Sequence, residues 1–111
     1  MGNLMCVTID CKDAKRLATF WAAALDGYMT DESGIFIRSE NGPMMYLQQV
    51  PEGKTVKNRV HLDIGAEDTL AEVSRLEKLG ASVVEEKAEG GAQWTIMADP
   101  EGNEFCVCPL S

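Results

Sequence analysis

The 111-residue chain is 45% hydrophobic and 25% charged, enough apolar material to fill one core without a metal or disulfide staple. Its formal net charge of -8 opposes a polyphosphate backbone, because nucleic-acid binding draws its affinity from clustered Lys and Arg, and nucleic acid is therefore not an expected partner. No run approaches the ~20 apolar residues of a membrane span, and the first residues lack the basic flank and apolar stretch of a secretory signal, so a cytoplasmic protein without membrane contact is expected.

In chain order, Met5-Cys6-Val7-Thr8-Ile9-Asp10 alternates apolar with small or polar residues, as a strand covered on one face does. From Asp13 the period changes. Ala14, Leu17, Phe20, Trp21, Ala24 and Leu25 share a helical stripe, Asp13 supplies a cap, and Gly27 is the expected stop. A weak strand is predicted at Tyr28-Met29-Thr30, a further one at Ile35 to Arg38, and, after the turn signal Asn41-Gly42-Pro43, another from Met44 to Val50. Residues 51–58 have the composition of a linker.

The pattern then restarts. Val60-His61-Leu62-Asp63-Ile64 alternates, Asp68 opens a helix with apolar positions Leu70, Val73, Leu76 and Leu79, and Gly80 closes it. Ala81 to Glu85, Gln93 to Met97 and Glu104 to Cys108 read as strands, the last two separated by the turn Asp99-Pro100-Glu101-Gly102-Asn103. His61 stands to Asp68 as Cys6 stands to Asp13, so two strand-helix-strand-strand-strand modules follow one another, about 1–50 and about 59–111, within a single domain of residues 1–111. The four cysteines, with no CxxC pair, read as reduced thiols in a cytoplasmic setting.

Several stretches resemble the glyoxalase/bleomycin-resistance/dioxygenase (vicinal oxygen chelate) superfamily: Asp13 to Leu25 followed by Gly27, Arg59 to Ile64, Leu79-Gly80-Ala81, and Asp99 to Phe105. Together they cover nearly the whole chain. The resemblance implies an α+β fold of two tandem βαβββ modules forming a curved sheet, helices on the outer face, a small-molecule cleft on the inner one, and a homodimer. Strand alternation then assigns Val7, Ile9, Met45, Leu47, Leu62, Ile64, Phe105 and Val107 to the helix side. Cys6, Thr8, Asp10, Tyr46, Gln48, His61, Asp63, Glu104, Cys106 and Cys108 fall on the cleft side.

Metal-binding relatives take ligands at places that correspond here to Cys6, Tyr46 or Gln48, His61 and Cys106. Only His61 is of the usual type, so the expectation is no cofactor, with a divalent metal possible only through an incomplete ligand set anchored on His61. A Zn²⁺ ion would suit Cys6, His61 and Cys106 better than a hard cation would. His61, with Asp63 two residues on, is a candidate general base or equally a histidine satisfied by a structural partner. Cys106 beside it is a candidate nucleophile or a small wall residue. Trp94 reads either as packing or as an aromatic wall for a planar ligand, and Trp21 is left open between core and cleft. Lys54, Lys57 and Arg59 form either a basic rim that steers an anion or a solvated charge cluster.

The resemblance implies a small-molecule binding protein, working without metal and sequestering a toxic or antibiotic-like compound. The candidate ligand-binding residues are Cys6, Thr8, Tyr46, Gln48, His61, Asp63, Trp94 and Cys106. The alternative is a lyase or isomerase acting on a carbonyl-containing small molecule, with His61 as base or metal anchor and Cys106 or Gln48 assisting.

Overall fold

The structure, a computed structural model, describes residues 2–110, and the chain divides into two compact units, one ending at Lys54 and one starting at Thr55. The first holds β1 (Cys6–Cys11), α1 (Ala14–Ala24), β2 (Met29–Thr30), β3 (Phe36–Arg38) and β4 (Met44–Gln49). The second holds β5 (Leu62–Ala66), α2 (Thr69–Leu79), β6 (Ser82–Glu89), β7 (Ala92–Ala98) and β8 (Glu104–Pro109). This is the α+β, two-module βαβββ architecture that the sequence predicts.

In the first unit the sheet order is β1-β4-β3-β2, with β1 parallel to β4 and the other pairs antiparallel. Asp13 caps α1, its carboxylate accepting the Arg16 N–H at 3.2 Å. The helix buries Ala14, Leu17, Ala18, Phe20, Trp21 and Ala24, which places Trp21 in the core, 1% exposed and edge-on to Phe20 at 5.2 Å. Burial of one large apolar side chain stabilises by about 1.5–3 kcal/mol, so Leu17, Phe20 and Trp21 outweigh any propensity term in holding α1 to its sheet. Ile37, Met45 and Leu47 meet it from the strands. The helix ends three residues before Gly27: Leu25 is already extended while its N–H still bonds Trp21 C=O, and Gly27, at φ 77, turns the chain afterwards. Gln49 fixes the entry to α1, its side-chain oxygen accepting Ala14 N–H at 2.8 Å and its amide nitrogen donating to Lys12 C=O.

The second unit repeats the order as β5-β8-β7-β6, with β5 parallel to β8. Asp68 caps α2 by accepting Ala71 N–H at 3.1 Å, Glu72 and Lys78 complement the helix dipole, and Gly80 ends the helix in the left-handed region at φ 117. The expected apolar face is only partly used. Leu76 is fully buried, whereas Leu70 is 75% exposed and Leu79 38%. At 3.6 residues per turn each i+3 step falls about 60° short of a full circle, so four residues spaced by three sweep half the helix and its two extremes point in opposite directions. Leu76, Met97, Phe105 and Val107 are all fully buried and belong to the core of this unit. A bulge between Val83 and Glu85 shifts the β6–β7 register and leaves Val84 exposed.

Candidate functional site

The residues proposed from sequence fall on both sheets. On the first, Cys6 and Thr8 lie on one face of β1, their sulfur and hydroxyl oxygen 4.0 Å apart, and Thr8 pairs in register with Tyr46. The Tyr46 ring stacks on Phe36 at 4.5 Å, and the Arg38 guanidinium lies 5.7 Å from the Phe36 centroid. Arg38 is itself 3.5 Å from the Asp31 carboxylate. The Ser33 hydroxyl, then the Ser33 N–H and Arg38, hold the Asp31 carboxyl below the usual carboxylate range. Gln48 is exposed at the end of the same face, and Cys11 is buried with its thiol donating to Gln48 C=O. Sequence reasoning missed Phe36, although the alternation of Phe36-Ile37-Arg38 around the buried Ile37 carries the signal.

On the second sheet the site is built from a turn outward. Asp99, 3% exposed, accepts the Glu101 and Asn103 N–H groups at 2.9 Å each and the Asn103 side-chain amide at 3.1 Å. Gly102 supplies the left-handed residue at φ 87. This turn launches β8, whose Glu104, Cys106 and Cys108 share one face by alternation while Phe105 and Val107 point to the core. Asn58 then ties the chain entering β5 to β8: its N–H donates to the Glu104 carboxylate and its side-chain amide to the Glu104 C=O, both at 3.2 Å. Nothing local in the sequence marks that clamp, because its partners are 46 residues apart.

His61 immediately precedes β5 rather than belonging to it, and its Nε2 lies 3.2 Å from Asp63 Oδ1. Asp63 pairs in register with Cys106. One donor atom from each of His61, Asp63 and Cys106 falls within 4.8 Å of the others, the first two residues exposed and the cysteine buried. Burial pushes the Cys106 thiol above the ordinary cysteine range, and the Asp63 carboxylate adds to it by disfavouring a second negative charge nearby. Cys108 is raised for the same two reasons in the same order.

These groups line a hollow of about 410 Å³ in the second unit, with Trp94 and Ile96 as its apolar surface. The open facing of Trp94 is thereby decided: it is half-buried and lines this hollow together with a neighbouring one of about 620 Å³ at the Gly90-Gly91 hairpin. Lys57 and Lys87 also border the hollow, but Lys57 lies 4.0 Å from Glu104 and Lys87 2.9 Å from Glu85, so their charge is largely matched. Of the basic cluster read from sequence, Lys57 alone lines it.

The sequence model of the glyoxalase-like domain matches residues 6–108. The chain belongs to this family. The glyoxalase-like fold is seen equally in solved structures: a glyoxalase-related enzyme from Fulvimarina pelagi (TM-score 0.74, 15% identity, covering 98% of this chain and 88% of that one) is similar throughout. So are an antibiotic-binding protein from a Streptomyces species (0.70, 16%, 100% and 98%) and a fosfomycin resistance protein from Mesorhizobium loti (0.72, 14%, 99% and 92%). A sequence search of curated proteins finds no match. Among the described residues, no helix is long and apolar enough to cross a membrane.

Glyoxalase-like relatives that carry a metal imply a divalent ion, and the donors on the second sheet can be tested against one. An imidazole nitrogen, a carboxylate oxygen and a thiol sulfur suit a borderline-soft ion such as Zn²⁺ and suit poorly the hard ions that prefer oxygen. His61, Asp63 and Cys106 are the residues that would hold it, and such an ion would supply Lewis acidity.

Proposed function

We propose that this glyoxalase-like chain binds a small, flat, largely apolar molecule in the hollow of its second unit and sequesters it by shape, with no need of a metal ion. The observation that carries the reading is the lining: Trp94 and Ile96 give apolar surface, and His61, Asp63 and Asn58 bring a few polar groups to the same space. That combination, in a volume within the usual range of about 300–1,000 Å³, is what a small-molecule site requires. The antibiotic-binding and fosfomycin resistance proteins among its structural neighbours support an antibiotic-like compound as the ligand class. The reading is of a cytoplasmic homodimer, and light scattering on the purified chain checks the stoichiometry.

Tryptophan fluorescence tests it directly, because Trp21 is 1% exposed and shielded while Trp94 lines the hollow. Titration with a panel of small planar aromatic compounds is expected to give saturable quenching of Trp94. Trp94→Leu, which keeps an apolar side chain but loses the aromatic face, weakens binding about three- to tenfold. Binding that leaves Trp94 emission unchanged and is undiminished in Trp94→Leu refutes the placement.

A second reading, a lyase or isomerase moving a proton on a carbonyl compound, draws on the 3.2 Å contact between Asp63 and His61, since a carboxylate-oriented imidazole is suited to general-base work. Cys106 adjoins that pair. A His61→Ala variant that retains both ligand affinity and turnover removes His61 from either role.

A further inference from the structure

We propose that the hollow of the second unit selects a molecule whose planar apolar body carries a protonated amine, with Asp63 as the counter-ion and Trp94 as the surface on which the ring lies. This rests on the reading of the hollow as a small-molecule site and adds the charge of the occupant, which shape alone leaves open.

The charge balance of the hollow favours a cation. Lys57 lies 4.0 Å from Glu104 and Lys87 2.9 Å from Glu85, and the Asn58 N–H also donates to Glu104, so these two carboxylates have partners within the protein. Asp63 differs: among the described residues its ion-pair contact is the His61 imidazole at 3.2 Å, a cation only when protonated. Burial, and then the Asp63 charge, push the Cys106 and Cys108 thiols up, so at neutral pH they line the hollow as uncharged groups. The net charge of -8 on the chain draws cations and repels anions at longer range. The Asp63 carboxylate is also both held and open. His61 Nε2 fixes one of its oxygens, the side chain is 61% exposed, and a carboxylate accepts at about four lone-pair positions, which leaves capacity for an ammonium. Spacing supplies the body of the ligand. β8 separates β5 from β7, so Asp63 and Trp94 stand on strands about 10 Å apart, with Cys106 paired in register to Asp63 on one side and to Ile96 on the other. A two-ring aromatic lying on Trp94, with one methylene to its ammonium, bridges that distance, and the indole face itself attracts a nearby cation.

The test measures, by calorimetry on the full-length chain, the affinities of 2-naphthylmethylamine, 2-naphthylmethanol and 2-naphthoate, which share one ring system and run from positive through neutral to negative. The amine is expected to bind about three- to tenfold more tightly than the alcohol, and the carboxylate more weakly than either. Added salt should shrink the advantage of the amine, because the Asp63 carboxylate is exposed and its field is screened. In Asp63→Asn the ratio of amine to alcohol affinity should fall to about one. The salt series is read on the wild-type chain and so stands even where the variant fails to fold. Equal affinities for amine and alcohol in the wild type, an advantage that salt does not reduce, or a ratio unchanged in Asp63→Asn each overturns the assignment of charge while leaving the hollow as a small-molecule site. Absence of binding by all three compounds, with Trp94 emission unmoved, overturns the charge assignment and the reading of the hollow together.

Discussion

Replacing Asp99 by alanine removes an acceptor from three donors at once: the Glu101 and Asn103 N–H groups and the Asn103 side-chain amide. With the carboxylate buried to 3% exposure, water reaches the freed donors poorly, and each unsatisfied buried group costs about 1–3 kcal/mol. Partial relaxation of a turn at the surface recovers some of this, so a net loss of about 2–4 kcal/mol is expected. Asp99→Asn keeps one oxygen for the two backbone donors and loses only the Asn103 side-chain bond, so its cost should be about 1 kcal/mol. Urea unfolding followed by circular dichroism measures both, provided the slope with denaturant is unchanged. Because this turn launches the strand that carries Glu104, Cys106 and Cys108, the alanine variant should also weaken ligand quenching of Trp94. Equal costs for the two substitutions, or an alanine cost below about 1 kcal/mol, would show that the carboxylate is not what fixes the turn.

Leu76→Ala should cost about 2–5 kcal/mol and Leu70→Ala less than about 0.5 kcal/mol in the same unfolding assay, since the first is fully buried and the second 75% exposed on the one helix. Gly80→Ala should lower stability by about 1–2 kcal/mol, because φ 117 is left-handed and an added Cβ would stand 3.3 Å from Pro100 Cγ; thermal unfolding checks it. The Arg75 guanidinium hydrogen-bonds Glu72 at 2.8 and 2.9 Å and holds its carboxyl below the ordinary value. A lowered folded-state pKa stabilises above the unfolded value and is lost as pH falls through the folded one. Glu72→Gln should therefore cost about 0.3–0.5 kcal/mol at pH 7 and nothing in strong acid, a gap that paired denaturation curves resolve.

Much of the fold was legible because its signals are local. Asp13 and Asp68 cap helices through bonds to residues three positions on, and strand alternation separates Met45, Leu47, Phe105 and Val107 from Tyr46 and Gln48 without reference to any partner. The stripe of α1 was readable because its apolar residues recur at three and four, which keeps them on one face. That of α2 misled, because spacing by three alone walks around the helix and only the packed sheet reveals where it stops.

The sequence by itself determined the repeated module, the helix starts, the core-facing residues of β4 and β8 and the residue types available for chemistry. Tertiary structure alone decided that Asp63 lies beside Cys106, that Trp94 lines a hollow while Trp21 is buried in the core, and that Asn58 clamps Glu104. The physical reason is range. Capping and alternation are settled by neighbours a few residues away, whereas a site is made by strands whose pairing closes loops of some forty residues, and no short stretch of chain encodes which partner it will meet.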